Sequence, residues 1–166
     1  MIDKDKVVYL AVPYAPTEKQ VAAKMPVLTH LETLERVMML IDFVKADIMQ
    51  RRAKKADQAA AWLMQQGYTV LSPISHSHGI AQHMAPEKRV DHELWMRQDR
   101  PLVQASDVMV ILTLDGWRES KGIRHEVREF AKKRFWWNQH ERFKTGRNVF
   151  FLNRVPGGYE LSRRPR

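Results

Sequence analysis

Short, continuous apolar runs alternate along this chain with longer stretches of helical composition. Lys6-Val7-Val8-Tyr9-Leu10-Ala11-Val12 is apolar and rich in β-branched residues, which predicts a buried strand, and Pro13 and Pro16 end it. From Pro26 to Gln66 there is no further proline and no glycine, so a long helical stretch of one or two helices is expected. Thr29 and Glu32 have the spacing of a capping box at its start, and Gly67 supplies a stop. Tyr68 to Leu71 predicts a second strand, closed by Ser72-Pro73. Ser75 to Pro86, with three histidines and one glycine, has the composition of a loop. Val90 to Asp99 predicts a helix, which Pro101 either kinks or follows with a further turn to Ala105. Asp107 to Leu114 (DVMVILTL) is the third strand and the clearest. A helix from Ile123 to about Arg134, an irregular stretch WWNQHERFKTGR and a last strand from Asn148 to Leu152 complete the pattern.

The strands are unbroken apolar runs rather than alternating ones, and they alternate with helices. That combination predicts an α/β fold: a doubly wound, Rossmann- or flavodoxin-like parallel sheet with helices on both faces. At 166 residues the expectation is one domain spanning 1–166, with a helical extension within 17–58 and a short basic C-terminal tail. Ligands of such sheets bind beyond the carboxyl ends of the strands. The segments there are PYAP, SPISHSH and DGWRESKG, all polar and turn-rich. Pro13, Tyr14 and Trp117 lie in these segments as candidate substrate contacts, and Asp115, at a strand's carboxyl end, either touches ligand or makes a turn.

Three glutamates lie in or after the last of these segments: Glu119, Glu126 and Glu129. In a helix starting at Ile123, residues Ile123, Val127, Phe130 and Ala131 share the face that packs on the sheet. At about 100° per residue, Glu126 falls on the border of that face, and Glu129 points further out, placed to pair with Lys133. A carboxylate at the Glu126 position is partly desolvated yet reaches the cleft. Backbone N–H groups after Ser120-Lys121-Gly122 would bind an anion, with Gly122 allowing close approach and the Ser120 hydroxyl adding a donor. The plainer role for Ser120 is a helix N-cap. A carboxylate beside a phosphate cradle suits a sugar phosphate; glycosidic chemistry on one needs a second acid, and Asp99 is the best candidate, its plainer role being a helix-end aspartate. Asp107, at the start of a strand, reads as structural.

Charge narrows the ligand class. The chain has 28 basic against 19 acidic residues, a formal +9, which favours anionic partners. The basic runs at 51–55, 132–134 and 163–166 each read as solvated surface. No apolar stretch reaches membrane-spanning length, the opening MIDKDK does not have the pattern of a signal peptide, and cysteine is absent. The expectation is a cytoplasmic protein with no membrane partner, no disulfide and no thiolate chemistry.

Ser120-x-Gly122-x-x-x-Glu126 after a DVMVIL strand resembles the signature of the nucleoside 2-deoxyribosyltransferase superfamily. The spacing is most similar to its 2′-deoxynucleoside 5′-phosphate N-hydrolase branch, in which an aspartate lies eight residues before the strand's first aspartate, as Asp99 does before Asp107. YLAVPY, SPISHSH and DGWRES also resemble an uncharacterised bacterial and phage family placed beside these enzymes. The resemblance implies cleavage of the N-glycosidic bond of a nucleoside or nucleotide, by hydrolysis or by transfer to a second base. It implies Glu126 as the nucleophile at C1′, Asp99 as the acid that protonates the departing base, Tyr9 as a positioning group, and Ser120 as a ligand of the 5′-phosphate. It also implies a pocket lined by the SPI-x-HSH segment with His76 or His78 touching substrate, no cofactor, and a homo-oligomer. Where that family carries Glu-Leu-Gly, this chain has Glu126-Val127-Arg128.

Other readings compete. His76, His78, His83 and His92 invite a metal site, but no HExxH or comparable carboxylate spacing accompanies them, so no metal is expected. KKRFWWNQHERFK interleaves cations with aromatics as single-strand binding platforms do, yet without any recognised nucleic-acid motif, and Trp136 and Trp137 suit a core or subunit interface equally. Nucleic acid is the less favoured partner. A catalytically inactive nucleotide sensor on the same fold is the third reading.

Overall fold

The computed structural model describes residues 2–27, 33–89, 91–137 and 148–165. The elements run β1 (Val7–Ala11), α1 (Glu18–Ala22), α2 (Leu34–Gln65), β2 (Thr69–Leu71), α3 (Pro73–Ala81), α4 (Pro86–Arg89), α5 (His92–Ala105), β3 (Val108–Leu112), α6 (Lys121–Trp137), β4 (Val149–Val155) and β5 (Gly158–Ser162). The sheet order is β2-β1-β3-β4-β5. β1 pairs in parallel with β2 and β3, and β3 in parallel with β4. The chain leaves β1 toward β2 and returns to β3 on its other side, so the topological switch point lies between β1 and β3.

Period-two alternation divides the strands between two cores. Val8, Leu10 and Val12 join Val108, Val110, Leu112, Phe150 and Leu152 beneath Ala56, Ala59, Ala60 and Leu63 of α2. Tyr9, Ala11, Met109 and Ile111 face the opposite side, under Val103 of α5 and Ile123 and Phe130 of α6. Helices cover both faces, as the apolar runs predict.

α2 is one helix, not two. Thr33 caps it, its side chain accepting from Arg36 N at 3.3 Å. At its end Gly67 takes φ +84°, and the N–H groups of Gly67 and Tyr68 donate to Met64 and Leu63 carbonyls at 2.8 and 3.2 Å. Those two bonds satisfy two of the orphan carbonyls of the last turn, the stop expected of Gly67. The Thr29–Glu32 capping box lies outside the described residues. Leu34, Met38, Met39 and Phe43 of the first half of α2 face solvent.

Two expectations are corrected, and the extent of a third element is settled. The histidine segment is helical: α3 begins at Pro73, where a missing N–H costs nothing and φ is already helical. α5 runs through Pro101 to Ala105 without a break. The sheet is not all parallel, because β5 returns antiparallel to β4. Pro156 and Gly157, with φ +84° at the glycine, supply the tight turn between them, the proline-then-glycine pattern of a type II turn. Most of residues 153–162, for which the sequence reading makes no assignment, is thus strand, and the basic run follows it. Of the WWNQHERFKTGR segment, residues 136 and 137 close α6, and the rest, with the Trp136 and Trp137 side chains, lies outside the described residues.

Candidate functional site

β1 carries Tyr9 in its middle, paired in register with Met109 of β3. The phenol is fully buried and its hydroxyl donates to Glu126 Oε1 at 2.8 Å. Glu126 comes from the second turn of α6, the helix that follows β3. Asp99 of α5 is buried too, and its charge acts on both Tyr9 and Glu126. The three residues that the resemblance makes catalytic therefore meet under the switch point. Glu126 is inside the core rather than at its border, with 7% of its surface exposed, and its Oε2 has no hydrogen-bond partner among the described residues.

Burial sets the acid–base chemistry. It pushes the Glu126 carboxyl up to about 8, against the Tyr9 hydrogen bond, which lowers it, and with Asp99 raising it further. Burial also raises Asp99, to about 6, with nearby His76 opposing the rise. The Tyr9 phenol is held far above its ordinary range by burial and by the neighbouring Glu126 and Asp99 charges, so it acts only as a donor. Asp99 is the stronger acid of the pair, the reverse of the simplest ordering for a nucleophile and its acid partner.

At the start of α6, Ser120 takes its plainer role. Ser120 Oγ accepts from Ile123 N at 3.3 Å, capping α6. The N–H groups of the first helical turn have no intrahelical acceptor and point the same way. A Cβ on Gly122 would meet only Ser120 Oγ, at 3.8 Å, so packing within the protein does not demand glycine there. Trp117, half-buried, packs its ring on Phe151 at 5.5 Å, with the Arg118 guanidinium 4.7 Å above it. Arg128, where the resembling family has glycine, is exposed and clear of the sheet.

The other two loop segments also reach this end. Tyr14, next to the buried Pro13, forms a 2.7 Å hydrogen bond between its hydroxyl and His78 Nδ1, and burial raises its phenol to about 12. His76 is exposed. Among the described residues, no three of His, Asp and Glu converge into a metal-binding group. Asp107 is structural: its carboxylate accepts from Val7 N at 3.0 Å across the start of the sheet.

Glu129 departs from its expectation. It is buried by accessible surface, yet no depth of protein encloses it. Arg100 of α5, at 3.5 Å, and Lys132, at 2.5 Å, lie over its carboxylate. The Lys132 hydrogen bond holds it below the usual carboxylate range. The expected partner, Lys133, has its side chain outside the described residues. Ala131, assigned to the packed face, is exposed.

A residue that sequence reasoning passed over as solvated organises the loops. Arg52 of α2 is 6% exposed, and its guanidinium donates to the carbonyls of Tyr14, Ala15 and Asp115 and to Gln20 Oε1, at 2.8 to 3.2 Å. Gln20 Nε2 in turn donates to the Asp115 carbonyl and carboxylate at 3.1 and 2.9 Å. Gly116 makes room for it: φ is +80°, and a Cβ there would stand 2.5 Å from Gln20 Nε2. The signal was present in the spacing. Arg52 shares the stripe of Ala56, Ala59, Ala60 and Leu63, one turn before the first alanine.

No helix among the described residues is long and apolar enough to cross a membrane. A comparison with functionally curated proteins gave no match. A family profile described as a domain of unknown function (DUF1937) matches residues 6–137, well over half of the chain, and the protein belongs to that family.

Proposed function

We propose that this protein cleaves the N-glycosidic bond of a nucleoside 5′-monophosphate, of the ribo or deoxy series, with Glu126 as nucleophile. The observation that carries the reading is the buried Tyr9–Glu126 hydrogen bond at the switch point, with the second Glu126 oxygen unpartnered and Asp99 beside it. A buried carboxylate oxygen without a partner is costly unless it is used.

In this scheme a Glu126 oxygen attacks C1′ as the bond to the base breaks. The bonding pair leaves with the base, which takes the proton of Asp99. Water then attacks C1′, giving its proton to the Asp99 carboxylate and releasing Glu126, or a second base takes the sugar. The acid order fits a shared proton. Between about 6 and about 8 the pair holds one proton. The reactive arrangement keeps that proton on Asp99 and the charge on Glu126, and the Tyr9 donor favours it. Positive charge developing on the sugar favours it further. Ser120 and the first-turn N–H groups of α6 take the phosphate.

Incubation with a panel of nucleosides and 5′-monophosphates, read by chromatography of free base, tests this. Release from monophosphates, lost in Glu126→Gln and reduced in Asp99→Asn, is the expected outcome. Nucleotide binding without turnover is the second reading, favoured by a Glu126 that is largely protonated near neutral pH. Tight binding with no free base from any substrate would select it.

A further inference from the structure

We propose that Arg52 is a positioning residue that fixes the two substrate loops, those following β1 and β3, independently of the chemical groups. For its substrate this rests on the glycosidic reading above.

A buried arginine normally meets a carboxylate in a two-pronged ion pair. Arg52 does otherwise. Nη1 donates to Tyr14 O and Ala15 O, and Nη2 to Gln20 Oε1 and Asp115 O, so every terminal N–H is spent on a neutral acceptor. Burial lowers its pKa from the usual guanidinium range, and the Asp115 charge offsets part of that. The guanidinium still carries its charge, because an arginine starts so far above neutrality. A fork that must be planar and must reach three separate segments specifies geometry more than it adds net stability. The pieces it joins carry the proposed substrate contacts. Tyr14 holds His78 through its hydroxyl, Trp117 follows Asp115 by two residues, and Ser120 closes the same loop. Tyr9, Asp99 and Glu126 stand on β1, α5 and α6, and none accepts a hydrogen bond from the terminal nitrogens of Arg52. Loop placement and proton chemistry are therefore separable by mutation.

The test compares Arg52→Lys and Arg52→Met with Leu63→Ala, a core truncation on the same face of α2 whose apolar side chain makes no hydrogen bond to either loop. Lysine retains the charge but not the planar fork. Kinetics on the monophosphate that the parent cleaves best should show KM raised about tenfold or more in both Arg52 variants, with kcat within about twofold and an unmoved pH profile. Leu63→Ala should lose stability and keep KM. Amide hydrogen exchange should accelerate in 13–17 and 115–120 of Arg52→Lys while β1 and β3 stay protected. Protected loops in Arg52→Lys overturn the proposal, as does a KM change no larger than that of Leu63→Ala. If the parent cleaves nothing on the panel, the glycosidic reading fails by itself, and the exchange experiment still decides whether Arg52 orders these loops. Should Arg52→Met not fold, Arg52→Lys and Gln20→Ala carry the same comparison.

Discussion

Replacing Glu126 with glutamine should invert the usual expectation for a charged side chain: the variant should be the more stable protein in mild alkali. A free glutamate titrates near 4.5, whereas burial holds Glu126 up to about 8 in the folded chain. Between those values the folded state keeps a proton that the unfolded state has lost, so stability is fully present below 4.5 and falls as pH rises through about 8. At 1.36 kcal/mol per unit the parent forfeits roughly 3–5 kcal/mol across that interval. Glutamine has the shape of the protonated acid and no charge to expose, so it escapes the loss. Urea unfolding at pH 5, 7 and 9 reads this directly. The two proteins should be near parity at pH 5, and the variant should lead by about 3 kcal/mol or more at pH 9. Parallel curves, with the variant and the parent losing stability equally between pH 5 and 9, would refute the claim that Glu126 is a desolvated acid. Glutamine is the better probe than alanine, because a side chain this deep leaves a cavity when truncated.

Tyr9→Phe removes one charge-assisted hydrogen bond, worth about 1.5–3 kcal/mol to the carboxylate and less to the acid, so kcat/KM near neutral pH should fall by about tenfold or more. Because that bond lowers Glu126, its loss should carry the alkaline limb of the pH–rate profile upward in the variant. The parent profile itself should be bell-shaped, rising through about 6 and falling through about 8, since one proton must stay on the pair. Ser120→Ala should weaken monophosphate binding by about 0.5–1.5 kcal/mol relative to the matching nucleoside in calorimetry, and equal losses for both ligands would make Ser120 a cap alone. Glu129→Ala should leave turnover unchanged and lower stability by about 1 kcal/mol at neutral pH, a difference that vanishes in acid as the pH falls through its depressed pKa.

The four parallel strands were legible because each is an apolar run bounded by proline, glycine or polar turns, and Glu126 was legible from its distance to the end of one of them. What escaped has identifiable causes. Ser72-Pro73 reads equally as a strand stop and as an N-cap with proline at N1, and the histidines behind it tipped the reading toward a loop. β5 hid in Gly158 to Ser162, where a half-buried edge strand next to two arginines has no continuous apolar run. Arg52 sits in a cationic run whose other members are exposed or half-exposed, and only its register with the alanines set it apart. The burial of Glu129 depends on Arg100, a residue from a different helix, and no local pattern encodes that.

The family match ends at residue 137, but the sheet does not. Every residue of β3 is buried, and along one side its backbone groups are matched to β4, register partner by register partner from Met109–Val149 to Leu112–Leu152. A chain cut at the family boundary would retain Tyr9, Asp99, Ser120 and Glu126 while leaving a naked apolar edge at the centre of the sheet, the template on which one molecule adds to the next. The hairpin beyond 148 thus guards solubility: it supplies none of those four side chains and keeps the strand beside them from recruiting its own kind.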